Sequence, residues 1–386
     1  MGGHALNYIS LLLAVLAAVA VFLLLKKKPD PAAPKRSERK TAFEPKAMST
    51  VRPAAMDSKS SLRPIVRLAS PQISAMLRTF ALTRSADLPS EDAVAIMAML
   101  SRIPRPPHAL HKLVSPEFLA DANTSQLSEM VIAEPQVAAK VLVMVNSPFY
   151  GLKTPLGSIG QAVTFLGMNT VRGICLQYML DESFKSTDPE IKRIFDRLWN
   201  ASAFASELCF KLAQLLQLPE PGTLVTHVVL SFLGPVASHS LLRKDLVISM
   251  AARGLLERSR IEQEHLGLCA AEIGSLLMQS WDLPKSIIDQ VRDIDLVLVT
   301  PFETVQAQRA VRMGFCYFCA RLGEKLAHGE VKDLATYHLE QEQGPEFFHL
   351  LSYLQVPALA GLTEVLHLPE LVSSINGMVR SMQIRR

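Results

Sequence analysis

The spacing of apolar residues beyond about Leu62 constrains the fold most strongly. Apolar side chains recur there with the 3.6-residue period of α-helices, and strictly alternating runs typical of half-buried strands are few. Prolines and clusters of Asn, Ser and Gly divide this pattern into segments of helical length. The sequence therefore predicts an all-α fold, in which a multi-helical bundle buries the apolar stripes of its helices.

The clearest single helix is predicted within residues 134–151. Pro135 suits the first turn of a helix, because its missing N–H removes no hydrogen bond there. Asn146 and Ser147 end the helix before Pro148, since the residue before a proline avoids the α conformation. The apolar residues that recur on one face are Val137, Val141, Met144 and Val145. We expect a buried helix that stops abruptly and is followed by a turn.

Two further helix starts have the spacing of a capping box. Residues 158–161 begin with Ser and end with Gln, and residues 300–303 begin with Thr and end with Glu. In the second, a proline also occupies the first helical position. We therefore expect one helix to start after Ser158 and another to run from about Pro301 to about His328, before Gly329.

The N-terminal residues 1–25 have the composition of a membrane anchor. The uncharged, mostly aliphatic run ends directly before Lys26, and the twenty residues from Leu6 to Leu25 span about 30 Å as a helix, which matches a bilayer core. A cleaved signal peptide is the alternative, but it carries its positive charge before the apolar run. The lysines that follow predict an inner-membrane protein with a short N-terminus outside and a cytoplasmic body.

Residues 26–60 are predicted to form a disordered basic linker. The stretch from Lys26 to Arg52 contains nine Lys or Arg and three acidic residues, whereas the whole chain has a net charge of only +4. Prolines alternate there with Ala and Ser, and large apolar residues are scarce. Anionic lipid is the expected partner of this charge. No nucleic-acid partner is expected, because the basic residues are not interleaved with aromatic ones and the body has no basic excess.

Several motifs, taken together, resemble the bacterial HDOD domain over about residues 99–293. The resemblance implies N-terminal helices over 61–98 and a C-terminal helical extension over 294–386 that packs on the domain. One departure is Glu134, where the family usually has Asp. The matching motifs are Ile103-Pro104, Glu134-Pro135, residues 146–151, Ser158-Ile159 with Leu166-Gly167, and Trp281 to Pro284.

The HDOD family is similar in fold to the HD-type metal phosphohydrolases, whose histidine and aspartate side chains hold metal ions that activate water. The positions that resemble the His-Asp pair are Ser231 and Phe232, and Ala270 stands where a further histidine is expected. Neither a phenyl ring nor a methyl group is a ligand. We therefore expect no metal, no cofactor and no catalytic residue. His227 and His239 flank the pair but point in different directions on a helix, and the Cys316-x-x-Cys319 motif indicates buried thiols.

The resemblance implies a non-catalytic signal-transduction module that binds a regulatory protein or ligand. The candidate binding residues are Asn146, Ser147, Phe149, Tyr150, Ser231 and Phe232. For both groups the alternative is a structural role, as a helix stop and as apolar core. Two other functions stay open: a divergent HD-type phosphohydrolase acting on nucleotides or cyclic dinucleotides, and a ligand-free membrane scaffold. An Ala14-x-x-x-Ala18 pair allows homo-oligomerisation through the anchor.

Overall fold

The computed structural model describes residues 71–147, 150, 152 and 154–384. By its internal contacts the chain divides after Ser60, so all described residues belong to the second unit, Ser61–Arg386. In this part of the chain the regular structure consists of α-helices and short 3₁₀ helices, without strands, which confirms the predicted all-α class. The predicted membrane anchor, the basic linker and Phe149 lie outside the described residues.

The α-helices are numbered here in chain order over the described residues. They are α1 Pro71–Arg78, α2 Ser90–Leu100, α3 Ala109–Val114, α4 Pro116–Asp121, α5 Thr124–Ile132, α6 Pro135–Val145, α7 Ile159–Leu166, α8 Met168–Asp181, α9 Pro189–Leu215, α10 Pro221–Ser231, α11 Leu233–Leu241, α12 Lys244–Met250, α13 Leu255–Leu266, α14 Ala270–Ser280, α15 Lys285–Arg292, α16 Ala307–His328, α17 Leu350–Tyr353, α18 Leu362–Leu366 and α19 Pro369–Ile384.

Helices α9 and α16 form the centre of the bundle and pack against each other along their length. Gly323 of α16 allows this close approach, because a Cβ atom at this position would lie 2.6 Å from the carbonyl oxygen of Ala201 in α9. Helix α9 also contacts α8, α10 and α19. Its length and its wide buried face make it the element against which the C-terminal helix α19 is positioned.

Helices α10 and α11 form an almost continuous apolar rod, interrupted by one turn at Phe232. Among the described residues, Pro221–Leu241 is the one stretch that is long and apolar enough to cross a membrane, and 83% of its most apolar window is buried inside the body. Such burial is typical of a core helix in a bundle.

Helix α14 packs directly on α11 at two glycines. A Cβ atom at Gly274 would lie 2.8 Å from the Cα atom of Gly234, and a Cβ atom at Gly234 would overlap the carbonyl of Ala270. The two backbones are therefore in contact, and no side chain separates the start of α14 from the start of α11. Gly234 follows Phe232 by two residues, so this contact lies directly after the end of α10.

The two predicted capping boxes have different outcomes. Ser158 accepts a hydrogen bond from Gln161 N as predicted, and Gln161 Oε1 accepts from Gly157 N, one residue before the cap. The box at Thr300 is wrong. Residues Phe302–Thr304 form a 3₁₀ helix, Val305 is extended, and α16 begins only at Ala307. Its predicted end at His328 is confirmed.

The segment before α2 is held on the body by two side chains of α13 and α14. Gln263 bridges it twice, accepting from Thr83 N at 2.9 Å and donating to Ala81 O at 3.1 Å. The carboxylate of Glu272 accepts from the backbone N and the hydroxyl of Ser85, at 3.2 and 3.1 Å. The described chain therefore approaches the bundle along a fixed path over these two helices.

Candidate functional site

Asn146 closes the loop that joins α6 to α7. Its side chain donates from Nδ2 to Leu156 O at 2.9 Å and accepts at Oδ1 from Leu156 N at 2.7 Å. A carboxamide can make both bonds because it carries a donor and an acceptor side by side. Although Asn146 is exposed, its functional groups therefore serve the loop. This geometry favours the structural role of Asn146 over direct binding.

The residues after Asn146 point away from solvent to different degrees. Ser147 is buried, and its hydroxyl has no hydrogen-bond partner among the described residues. Tyr150 N donates to Ser147 O at 3.1 Å, which turns the chain inward. The Tyr150 side chain is partly buried and lines a groove on the surface of the body. Of the four candidates here, Phe149 lies outside the described residues.

The groove next to Tyr150 has a volume of about 650 Å³ and lies between three parts of the bundle. Phe165 and Leu166 come from the end of α7, and Thr170 from the start of α8. The central helix α9 and the C-terminal helix α19 form the other two walls. Its volume is within the range of small-molecule sites, which is roughly 300–1,000 Å³. We call this feature the α9/α19 groove.

Ionisable groups meet on the α9 wall of this groove. Glu207 forms an ion pair with Lys211 at 3.4 Å and accepts a hydrogen bond from the Ser374 hydroxyl at 3.2 Å. Burial, together with the nearby Glu207 carboxylate, raises the pKa of Tyr150 well above its ordinary value. Tyr150 is therefore a neutral phenol over the physiological pH range, able to donate or accept a hydrogen bond.

Ser231 and Phe232, the positions that resemble the HD pair, do not line this groove. Ser231 ends α10, and its hydroxyl donates to Val228 O of the same helix at 2.7 Å. Phe232 is 1% exposed and belongs to the hydrophobic core. Ala270, at the position of the further histidine, is buried, and its backbone N–H donates to Glu262. The two candidate binding residues thus face the interior and their own helix.

These residues do not fit a metal ion. The only side-chain oxygen of the three positions is the hydroxyl of Ser231, a poor ligand that already donates to the backbone. Contact between Gly234 and the backbone of Ala270 fills the adjacent space. Within the described ranges, no group of three or more His, Cys, Asp or Glu side chains has a metal-binding arrangement.

The flanking histidines are buried and neutral. His227 is 0% exposed, and burial, with a contribution from Arg312, lowers its pKa to about 3. Burial, with the nearby Arg258 charge, lowers the pKa of His239 to about 4. In the part of the chain that the structure describes, the ring nitrogens of both have no hydrogen-bond partner.

All five cysteines of the chain are free and buried. Cys209 of α9 lies against Cys316 and Cys319 of α16, and burial raises the pKa of Cys209 and Cys319 above the ordinary value of a thiol. A raised pKa keeps a thiol protonated and unreactive. The prediction of buried thiols is confirmed.

Of the candidate binding residues, Tyr150 lines the α9/α19 groove, whereas Ser231 and Phe232 do not. Tyr150 shares the groove with Glu207 and Lys211 of α9 and with Gly377 and Arg380 of α19. These four residues were not predicted, because they come from distant helices and carry no motif. A possible signal was the small-residue face of α19, on which Ser373, Ser374, Gly377 and Ser381 recur at helical spacing.

The fold defines an all-α, HD-like protein, and the positions that resemble the HD metal ligands carry Ser231, Phe232 and Ala270. Residues 103–295, half of the chain, match the family model described as the HDOD domain. The chain belongs to the HDOD family. Curated proteins gave no match.

Solved bacterial structures have the same fold. A Shewanella amazonensis SB2B protein named "putative phosphohydrolase" is 20% identical, covering 75% of this chain and 98% of that chain with a TM-score of 0.50. An HDOD domain protein from Geobacter sulfurreducens is 17% identical, covering 74% and 97% with a TM-score of 0.51. A "putative signal transduction protein" from Marinobacter aquaeolei VT8 is also 17% identical, covering 80% and 68% with a TM-score of 0.51. At these identities the similarity concerns the fold alone.

Proposed function

We propose that this chain is a membrane-anchored, non-catalytic module of bacterial signal transduction, whose HDOD domain binds a regulatory protein or ligand. The observation that carries the proposal is the burial of Phe232 at the position of the HD aspartate. Hydrolysis of the HD type needs carboxylate and imidazole ligands around metal-activated water. The chain places hydrocarbon there and closes the space with a backbone contact at Gly234.

The membrane part of the proposal rests on residues 1–25 and on the lysines after them. The anchor holds the body at the cytoplasmic face of the inner membrane, and the basic linker lies near anionic lipid. The first part of the described chain is held on the bundle. There Gln263 and Glu272 fix the backbone around Thr83 and Ser85 to the bundle.

Fractionation of cells that express the full chain tests the anchor. We expect the protein to stay in the inner-membrane pellet after an alkaline wash, and a variant lacking residues 1–25 to move to the soluble fraction. Protease added to spheroplasts from outside should leave the body intact. A washed-off full chain would contradict the anchor, and digestion of the body would contradict its orientation.

A hydrolysis assay tests the non-catalytic part. The full chain, supplied with Mn²⁺, should not hydrolyse bis(para-nitrophenyl) phosphate faster than a protein-free control. Metal-dependent hydrolysis that is abolished by His227→Ala or His239→Ala would instead support a divergent phosphohydrolase acting on nucleotides or cyclic dinucleotides.

Crosslinking and affinity capture from native membranes separate the module from a ligand-free scaffold. A protein partner whose capture depends on a small molecule favours the signalling module. Capture of the same partner from extensively dialysed membranes favours the scaffold. Crosslinked copies of the chain itself would identify homo-oligomerisation, for which the Ala14 and Ala18 pair is the predicted contact.

A further inference from the structure

The α9/α19 groove has three properties that together specify a ligand: an open wall of small residues, two aromatic rings and an unmatched positive charge. The first belongs to α19, where Gly377 faces open space, with no heavy atom within 4 Å of a Cβ atom built on it. Ser373 and Ser374 line the same wall. Small side chains here leave the groove wide, and their hydroxyls offer donors and acceptors to a bound molecule.

Aromatic side chains line the groove on the sides away from α19. Phe165 of α7 is 62% exposed, and Phe210 of α9 is partly buried. An exposed phenyl ring leaves apolar surface in water, and a flat apolar or aromatic body packed on it removes that surface. The α19 wall lacks the continuous apolar stripe that an amphipathic partner helix needs. These walls therefore suit a compact molecule with one flat apolar face.

The charges in the groove favour an anion. Lys211 and Glu207 balance each other as an ion pair. Arg380 is exposed and makes no hydrogen bond or ion pair with the residues described. Asp333 does not line the groove, and its pKa is lowered by hydrogen bonds from Ala335 N and Asn376 Nδ2 and, to a smaller extent, by the charge of Arg380. Among the charged residues that line the groove, Arg380 is therefore the one without an ion-pair partner, and a guanidinium binds a carboxylate well.

We infer that the α9/α19 groove binds a small aromatic organic anion that carries one carboxylate. The aromatic body packs on Phe165 and Phe210, and the carboxylate accepts hydrogen bonds from Arg380. Tyr150 lines the same groove as a neutral phenol. This inference rests on the proposed function, in that it names the ligand class of the signalling domain.

Photocrosslinking with para-benzoylbenzoate tests the inference on the full chain in nanodiscs. The probe is an aromatic monocarboxylate, and its neutral analogue is para-benzoylbenzamide. We expect saturable labelling by the carboxylate at one molecule per chain, on peptides that contain Phe165, Phe210 or Met378. Arg380→Gln should raise the half-saturating concentration of the carboxylate about fivefold and leave that of the amide unchanged, since one exposed charge-assisted contact is lost.

Two glycine variants control for folding. Gly377→Leu fills the groove without meeting another atom at Cβ, so it should abolish saturable labelling while the unfolding temperature stays equal or rises. Gly160→Leu in α7 also meets open space at Cβ, but it does not line the groove, and it should label like the wild type.

Saturable labelling that survives Gly377→Leu, that maps outside the groove, or that ignores the probe's charge overturns the inference. So does an absence of saturable labelling. None of these outcomes contradicts the proposed function, which is tested by membrane fractionation and by the hydrolysis assay. Conversely, metal-dependent hydrolysis with groove labelling intact would remove the proposed function and leave the binding site.

Discussion

Replacing Asn146 tests whether the end of α6 is a structural clamp or a binding edge. The carboxamide makes two hydrogen bonds to the backbone of Leu156. A typical intramolecular hydrogen bond contributes about 0.5–1.5 kcal/mol net, and the exposure of Asn146 places these at the lower end. Asn146→Ala should therefore lower the free energy of unfolding by about 1–2 kcal/mol. The expected cause is the loss of the two hydrogen bonds that close the loop between Asn146 and Leu156.

The variant Asn146→Asp tests the two hydrogen bonds separately, because it keeps one of them and removes the other. A carboxylate keeps the acceptor for Leu156 N but turns a second, negatively charged oxygen toward Leu156 O, so at neutral pH it should cost at least as much as the alanine variant. Urea unfolding of residues 61–386, followed by circular dichroism, measures both, and a shift in midpoint without a change in slope reports stability alone. Gln136→Ala, an exposed change in the same helix, is the control. An unchanged stability of Asn146→Ala combined with lost groove labelling would refute the clamp and make Asn146 a binding residue.

Three further predictions follow from buried groups. His227 has its pKa lowered to about 3 in the fold, so only the unfolded chain takes up its proton as pH falls below 6.5. The wild type should therefore lose about 2 kcal/mol of stability between pH 7 and pH 5 that His227→Leu does not lose, by urea unfolding at both pH values; equal losses would contradict the neutral imidazole. Gly274→Ala should lower stability by about 1–3 kcal/mol, because its Cβ atom meets the backbone of α11, whereas Gly377→Ala should raise it by up to about 1 kcal/mol; an unchanged or raised calorimetric unfolding temperature of Gly274→Ala would refute the α11–α14 contact. The five thiols should not react with a thiol-specific chromophore until denaturant is added, and rapid native reaction of a mapped cysteine would show that its helix opens.

Local sequence patterns predicted a helix correctly where the apolar spacing and the capping residue indicated the same helix. The face of α6 that carries Val137, Val141 and Val145 is buried as its spacing indicates. The start of α7 follows Ser158, because the hydroxyl reaches an amide three residues ahead without help from the rest of the fold. The box at Thr300 failed because Pro301 is followed by 3₁₀ structure and an extended Val305. There, packing of the loop against Tyr353, whose hydroxyl donates to Thr300 O, decides the conformation.

The candidate site was predictable only in part, because grooves depend on distant elements. The motif around Asn146 identified the loop, but not its partner Leu156, since the two residues are ten positions apart in the chain. Tyr150 was a candidate, while Arg380 and Gly377 acquire meaning only when α19 packs beside α9. The substitution of Phe232 for an acidic ligand was readable from sequence. Its burial against the α11–α14 contact was not, because that contact depends on two glycines in different helices.

The most direct test of the central claim is elemental analysis of the purified full chain. We expect no stoichiometric Mn, Fe or Zn, because Ser231, Phe232 and Ala270 supply no set of metal ligands. The sample should be prepared without chelators and measured beside an HD-type phosphohydrolase as a positive control. A content below about a tenth of an ion per chain agrees with a non-catalytic module. One or more ions per chain, retained through gel filtration, would contradict it.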